Sequence, residues 1–197
     1  VTTQVGLHGL AFTMGSNFGD INNDGYLDFY LATGEPDLRT IVPNRLFLNN
    51  RGKSFEEVTS QSATGHLQKG HAVAFVDLDN DGDQDIYCVL GGAYEGDNFF
   101  NALFKNNWNK GNWLKVQLEG GKTNRAGLGA KLEVHLEGGQ TLYRTVDNSS
   151  SFGENPFMVH LGLGEKERLE KLVIHWPSGI QTEYFGISKN QRILVRE

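Results

Sequence analysis

The chain has 197 residues, a mass of 21.9 kDa and a formal net charge of −6, which suits one large domain or two small ones with a real core. The acidic balance argues against a nucleic-acid partner, which needs a basic face for phosphate contacts, and the longest apolar runs, 72–76 and 86–90, fall far short of the roughly 20 residues of a membrane-spanning helix. The single cysteine, Cys88, excludes an internal disulfide framework and a Cys-based zinc cluster, while 25 glycines, nearly twice the usual ~7 %, mark a chain of many turns.

The first residue is Val1, with no basic-plus-apolar leader after it. The expectation is a processed product or a piece of a longer protein, and the internal repeat favours the second. Asp20-Ile21-Asn22-Asn23-Asp24-Gly25-Tyr26-Leu27-Asp28 recurs 57 positions on as Asp77-Leu78-Asp79-Asn80-Asp81-Gly82-Asp83-Gln84-Asp85. The same offset carries Phe18 onto Phe75, Gly34 onto Gly91, Asn44 onto Asn101, Leu46-Phe47 onto Leu103-Phe104 and Asn49-Asn50 onto Asn106-Asn107, without a gap. Residues 72–76 read as a strand entering the second acidic loop and 86–90 as one leaving it. Residues 45–48 and 102–105 form the next strand, and 55–59 a further one. Such a unit, with some four strands, has the size of a propeller blade plus a loop. Two blades cannot close a ring of 4–8. Further blades before Val1, or a neighbouring subunit over the open edge, are therefore expected.

Both loops follow D-x-[DN]-x-D-G-x-x-D. Ca²⁺ takes six to eight oxygen ligands, and oxygens at positions 1, 3 and 5 of a tight loop converge on one point. Glycine at position 6 permits the sharp turn, position 7 offers its carbonyl and position 9 a carboxylate. The candidate ligands are Asp20, Asn22, Asp24, the Tyr26 carbonyl and Asp28 in the first loop. In the second they are Asp77, Asp79, Asp81, the Asp83 carbonyl and Asp85. An EF-hand needs Glu at position 12, where this chain has Leu31 and Cys88, so helix-loop-helix is rejected. Mg²⁺ fits less well because it keeps its own waters. Two Ca²⁺ sites are expected, the second tighter because it carries four carboxylates against three. The alternative is a solvated acidic turn without an ion.

These loops, with Phe18-Gly19 ahead of the first, resemble the FG-GAP/VCBS repeats of integrin-type β-propellers over about residues 10–107. The resemblance implies Ca²⁺ in a hairpin that stiffens the blade, and support of a recognition surface in place of catalysis. The second repeat has Phe75-Val76 where Phe-Gly is usual, which leaves the ligands intact.

After Asn112 the texture changes. Position 134, where a third loop would begin, holds Val134. Segments 113–118, 131–136, 141–146, 157–161, 171–176, 181–185 and 192–195 read as seven short strands, with a Gly138-Gly139 turn between the second and third. The turn spacing points to a small antiparallel β-sandwich. Residues 165–171 have helical composition but allow one turn at most. Asn124-Arg125-Ala126-Gly127-Leu128-Gly129-Ala130, His160-Leu161-Gly162-Leu163-Gly164, Trp176-Pro177-Ser178-Gly179 and Asn190-Gln191 resemble the ASPIC/UnbV domain at the C-terminus of cartilage-acidic-protein-like propellers, over roughly residues 112–197. The family's Gly-Ser-Ser-aromatic segment is replaced by Asn148-Ser149-Ser150-Ser151-Phe152. Gly127 and Gly129 are expected to need positive φ or close backbone approach.

The fold expectation is all-β: two propeller-type blades with Ca²⁺ hairpins in residues 1–110, then the sandwich in 111–197. Cys88 reads as buried packing. His135, His160 and His175 fall on C-terminal strands, either as solvent-facing residues or as a metal site. Arg125 either pairs with a local carboxylate or binds an anion. Tyr94, Phe99, Phe100, Trp108 and Trp113 read as domain packing or as a sugar platform. Asn148-Ser149-Ser150 is a formal N-glycosylation acceptor. No nucleophile or dinucleotide motif stands in context, so no enzyme and no catalytic residue is expected. The reading is a Ca²⁺-stabilised extracellular, cell-surface or periplasmic module that binds a protein or glycan. The alternatives are an accessory subunit of an envelope complex, or a Ca²⁺-dependent enzyme or biosynthesis auxiliary protein.

Overall fold

A computed structural model describes residues 1–34, 37, 41–92, 94–108, 110–148 and 150–197. Ser149 of the glycosylation motif lies outside them. The described residues form fourteen strands and no helix, and they divide into two compact units, each described by itself.

The first unit holds the described residues of 1–21, 26–107 and 149–155. In it β1 (Thr13–Gly19), β2 (Asp28–Thr33), β3 (Arg45–Asn50) and β4 (Ser54–Glu57) make an antiparallel meander. β5 (Gly70–Val76), β6 (Asp85–Leu90) and β7 (Ala102–Phe104) make a second. The strands β2 and β6 are rich in aromatic and β-branched residues, which fit a pleated, buried surface. They supply Tyr30, Ala32, Ile86, Cys88 and Leu90 to a core completed by Ile21, Leu46, Val73 and Phe75.

The 57-residue repeat extends to individual hydrogen bonds. Asn44 Oδ1 accepts from Thr33 N at 2.7 Å, and its counterpart Asn101 Oδ1 accepts from Leu90 N at 3.3 Å. Gly34 N donates to Phe12 O, and Gly91 N to Lys69 O, both at 2.8 Å. The fourth strand is not repeated. The residues equivalent to β4 are 111–114, and there the chain has already entered β8 (Asn112–Glu119), whose Leu114, Val116 and Leu118 are buried in the other core. The second repeat sheet therefore has three strands.

Segment 150–155 laces β1 to β5. Ser16 and Ser151 exchange backbone bonds at 3.1 and 3.2 Å, and Val73 N donates to Phe152 O at 2.9 Å. Asn155 Oδ1 accepts from Phe75 N and from Asn17 Nδ2, both at 2.8 Å, while Asn155 Nδ2 donates to Phe18 O at 2.7 Å. Gly153 has φ +127°, and a Cβ on it would stand 2.4 Å from Val73 O, so only glycine passes there.

The second unit holds the described residues of 22–25, 108–148 and 156–197. The strands β9 (Lys131–Leu136), β10 (Thr141–Thr145), β12 (Arg168–His175) and β13 (Gln181–Ser188) form one sheet in the order β10-β9-β12-β13. β8, β11 (Val159–Gly164) and β14 (Gln191–Arg196) form the other, in the order β11-β8-β14. Both sheets feed one core of residues such as Leu114, Leu132, Leu161, Leu172, Ile174 and Trp176, which makes a two-sheet sandwich. Seven strands overlap the seven expected segments with shifted ends: residues 157 and 158 lie outside β11, which runs to Gly164, and β12 begins already at Arg168. One pairing differs from the antiparallel expectation: β14 runs parallel to β8. Residues 165–167 are a turn before β12, so helical composition yields to strand pairing. Gly127 and Gly129 take φ of +70° and +87°, as expected.

Candidate metal centre

The acidic loops are the β1–β2 and β5–β6 connections. Each bends at the same two places: Asn23 and Asn80 have φ of 56° and 60°, and Gly25 and Gly82 of 92° and 100°. Glycine takes the second bend without strain, and Asn tolerates the first through its short side chain.

In the second loop Asp77 organises the turn. Its Oδ1 accepts from Asp81 N at 3.1 Å and its Oδ2 from Gly82 N at 2.8 Å, while Asp81 Oδ1 accepts from Asp83 N at 3.0 Å. Carboxylate oxygens of Asp77, Asp79 and Asp81 lie within 4.8 Å of one another. Like charges this close repel unless a cation joins them. Lys105 Nζ pairs with Asp79, and its hydrogen bond holds the Asp79 carboxyl below the usual range. Asp83 is buried. In the first loop Asn22 replaces the third carboxylate: its Oδ1 accepts from Asp24 N, and its Nδ2 donates to Asp24 Oδ2, both at 3.2 Å. Asp20 and Asp28 are buried and Tyr26 is half-buried.

Position 9 makes backbone contacts that the spacing does not reveal. Asp28 accepts from Ile21 N at 2.9 Å and Asn49 N at 2.7 Å; Asp85 accepts from Leu78 N at 3.1 Å and Asn106 N at 2.9 Å. Each carboxylate thus ties the start of its loop to the third strand of its sheet. Asn49 Nδ2 and Asn106 Nδ2 complete the clamp on Leu27 O and Gln84 O, at 2.9 and 3.2 Å. The signal was present as the repeated Asn-Asn pair, which reads from sequence only as a turn. Gln84 Oε1 also accepts from Asp20 N at 2.8 Å, and Asn106 Nδ2 reaches Ile21 O at 2.7 Å. The first of these bonds ties the start of the first loop to the second loop, and the other ties the first loop to the segment after β7.

Residues 20–88 match the FG-GAP-like repeat and residues 120–197 match ASPIC and UnbV. This chain is an FG-GAP repeat protein with a UnbV domain. No curated protein matches it. FG-GAP repeats often bind Ca²⁺, and the Asp77, Asp79 and Asp81 carboxylates form an acidic cluster within the matched region. The pair of domains is that of an extracellular-type, β-rich interaction module. Among the described residues no helix is long and apolar enough to cross a membrane.

The remaining candidates sort themselves. Cys88 is buried in β6, and burial pushes its thiol up to about 12, far from a reactive thiolate. Arg125 pairs with Glu119 at 3.2 Å with most of its side chain in solvent. Tyr94 and Phe99 of the first unit meet Lys69 and His66, whereas Trp108 and Trp113 meet Lys110 and Lys115; Phe100 is almost fully exposed. The three histidines of the UnbV unit do not meet. His160 Nε2 lies 2.6 Å from Asn23 Oδ1, whereas His135 and His175 both turn to Glu133, a residue that sequence reasoning did not select.

Proposed function

We propose that this chain is a Ca²⁺-stabilised binding module, part of a larger β-propeller protein, that presents a rigid surface to a protein or glycan outside the cytosol. The observation that carries the reading is the gathering of the Asp77, Asp79 and Asp81 carboxylates in a glycine-bent hairpin. An all-oxygen donor set suits a hard cation, and extracellular Ca²⁺ is abundant enough to fill weak loops permanently. Asp20, Asn22, Asp24, Asp28 and the Tyr26 carbonyl would hold a second ion, and Asp85 and the Asp83 carbonyl would complete the first. The two repeat sheets are blades of a ring that needs more of them. The role is recognition, with no reaction assigned to the chain.

Mass action supplies the test. An ion that binds only the folded chain stabilises it by about 2.7 kcal/mol at a hundredfold excess over Kd. Ca²⁺ is expected to raise the melting temperature by several degrees, chelator to reverse the rise, and Asp81→Ala to remove most of it. A melting curve indifferent to chelator would remove the metal from the proposal.

A second reading is an accessory subunit whose neighbour covers the open sheet edge. The three-residue strand β7 favours it, because Leu103 within it is 51 % exposed and nearby Phe100 is 91 % exposed; protected edges rarely carry such residues. Gel filtration separates the two: a folded monomer in Ca²⁺ supports the module, and self-association or aggregation supports the subunit.

A further inference from the structure

The outward face of the UnbV sheet carries a group that the Ca²⁺ reading does not use. Strand register sets it up. Glu133 and His135 stand two apart on β9 and so share a face. Val173 of β12 pairs with Glu133, and His175 stands on the same face two residues further on. His135 Nε2 lies 2.9 Å from Glu133 Oε1, and His175 Nε2 lies 3.6 Å from Glu133 Oε2. Two imidazoles thus address the two oxygens of one carboxylate. The other ring nitrogen of His135, Nδ1, is 3.3 Å from Thr141 Oγ1 on β10. Val173, which shares this face, is 3 % exposed and so is covered by its neighbours.

The charges around it leave Glu133 to the imidazoles. Lys171, which pairs with His135 across the strands, has its ammonium on Glu183 at 2.8 Å. Lys131 pairs with His175 in the register and points its exposed chain to solvent. The described ion pairs give Glu133 no lysine or arginine.

We propose that Glu133, His135 and His175 form a transition-metal site of the Zn²⁺ class, separate from the acidic loops. Two imidazole nitrogens and one carboxylate are a Zn²⁺ donor set, with bonds of about 2.0–2.2 Å. They are a poor set for Ca²⁺, which wants oxygen throughout. An ion would take over the His135–Glu133 contact at 2.9 Å and draw in His175, which stands 3.6 Å from the carboxylate, too far for a hydrogen bond. Closing on one ion requires His175 to turn, and its side chain is 46 % exposed and free to do so. Thr141 acts as the positioning residue: a metal-bound imidazole needs a partner on its other nitrogen to fix tautomer and orientation. Three protein ligands leave the fourth tetrahedral position to water or to a side chain of a bound partner.

The test is calorimetric titration of Zn²⁺ into the full chain in millimolar Ca²⁺, which keeps the acidic loops occupied. One ion is expected to bind. His135→Gln and His175→Gln should each weaken it at least about tenfold, and Thr141→Val by about tenfold, with unchanged melting curves in the absence of Zn²⁺. Co²⁺ in place of Zn²⁺ should give the visible absorption of a tetrahedral, nitrogen-ligated ion, a readout on the unaltered chain that needs no variant. Absence of binding, binding unaffected by both histidine substitutions, or a Co²⁺ spectrum of oxygen ligands only would overturn the proposal.

Discussion

Tyr30 and Cys88 are two acids kept neutral by their surroundings. Burial pushes the Cys88 thiol from an ordinary 9.0 up to about 12. Burial, and then the neighbouring Cys88 charge, pushes the Tyr30 phenol well above its ordinary 10.0, while its hydroxyl donates to Thr64 O at 2.7 Å. The unfolded chain releases these protons first. Stability is therefore complete below about pH 9 and falls as pH rises toward the folded values, by at most about 1.4 kcal/mol per pH unit for each group. Urea midpoints measured across that range should drop, and Cys88→Ala should flatten part of the drop; a midpoint independent of pH would contradict the burial of both groups. Asp28 and Asp85 show the opposite use of charge. Each satisfies two backbone N–H groups, so the ninth loop position holds the sheet together whether or not an ion is bound.

The two loops share backbone geometry and differ in side chains. Asp79 adds a charge where the first loop has Asn22, so the second loop is expected to bind Ca²⁺ more tightly. Calorimetry on Asp24→Ala and Asp81→Ala, each retaining one intact loop, should rank them in that order, and equal affinities would contradict it. Lys105 competes for Asp79, although an exposed pair of this kind is worth little. The strap at 150–155 makes a different demand. Asn155→Ala removes three hydrogen bonds that join β1 to β5 and is expected to cost about 1–3 kcal/mol, read as a lower urea midpoint; an unchanged midpoint would show the strap to be idle. Most strands were legible because period-two alternation and paired loops are local signals. The lost fourth strand of the second repeat was not, because the offset maps residues 111–114 onto β4 while their apolar alternation commits them to β8. The parallel β14–β8 pair and the strap were hidden for a related reason. Each depends on partners 77 to 138 positions away, which no local pattern encodes.

The texture of the sequence changes near Asn112, and the described residues divide into two units, each of which also holds a short segment from the other's stretch of sequence, 22–25 in the second and the described residues of 149–155 in the first. The candidate ligands of the acidic loops are named by spacing alone, because the loop pattern is local. The Glu133 cluster needed the register of three strands before its members came together. The hairpins gather oxygen donors, whereas the UnbV sheet brings two imidazoles to one carboxylate. The decisive observation is anomalous diffraction from crystals grown in saturating Ca²⁺, phased on this fold. Peaks inside both hairpins, each surrounded by the oxygens of positions 1, 3, 5, 7 and 9, are expected. Clear density for the Asp77, Asp79 and Asp81 carboxylates with only water between them would contradict the role given to these loops.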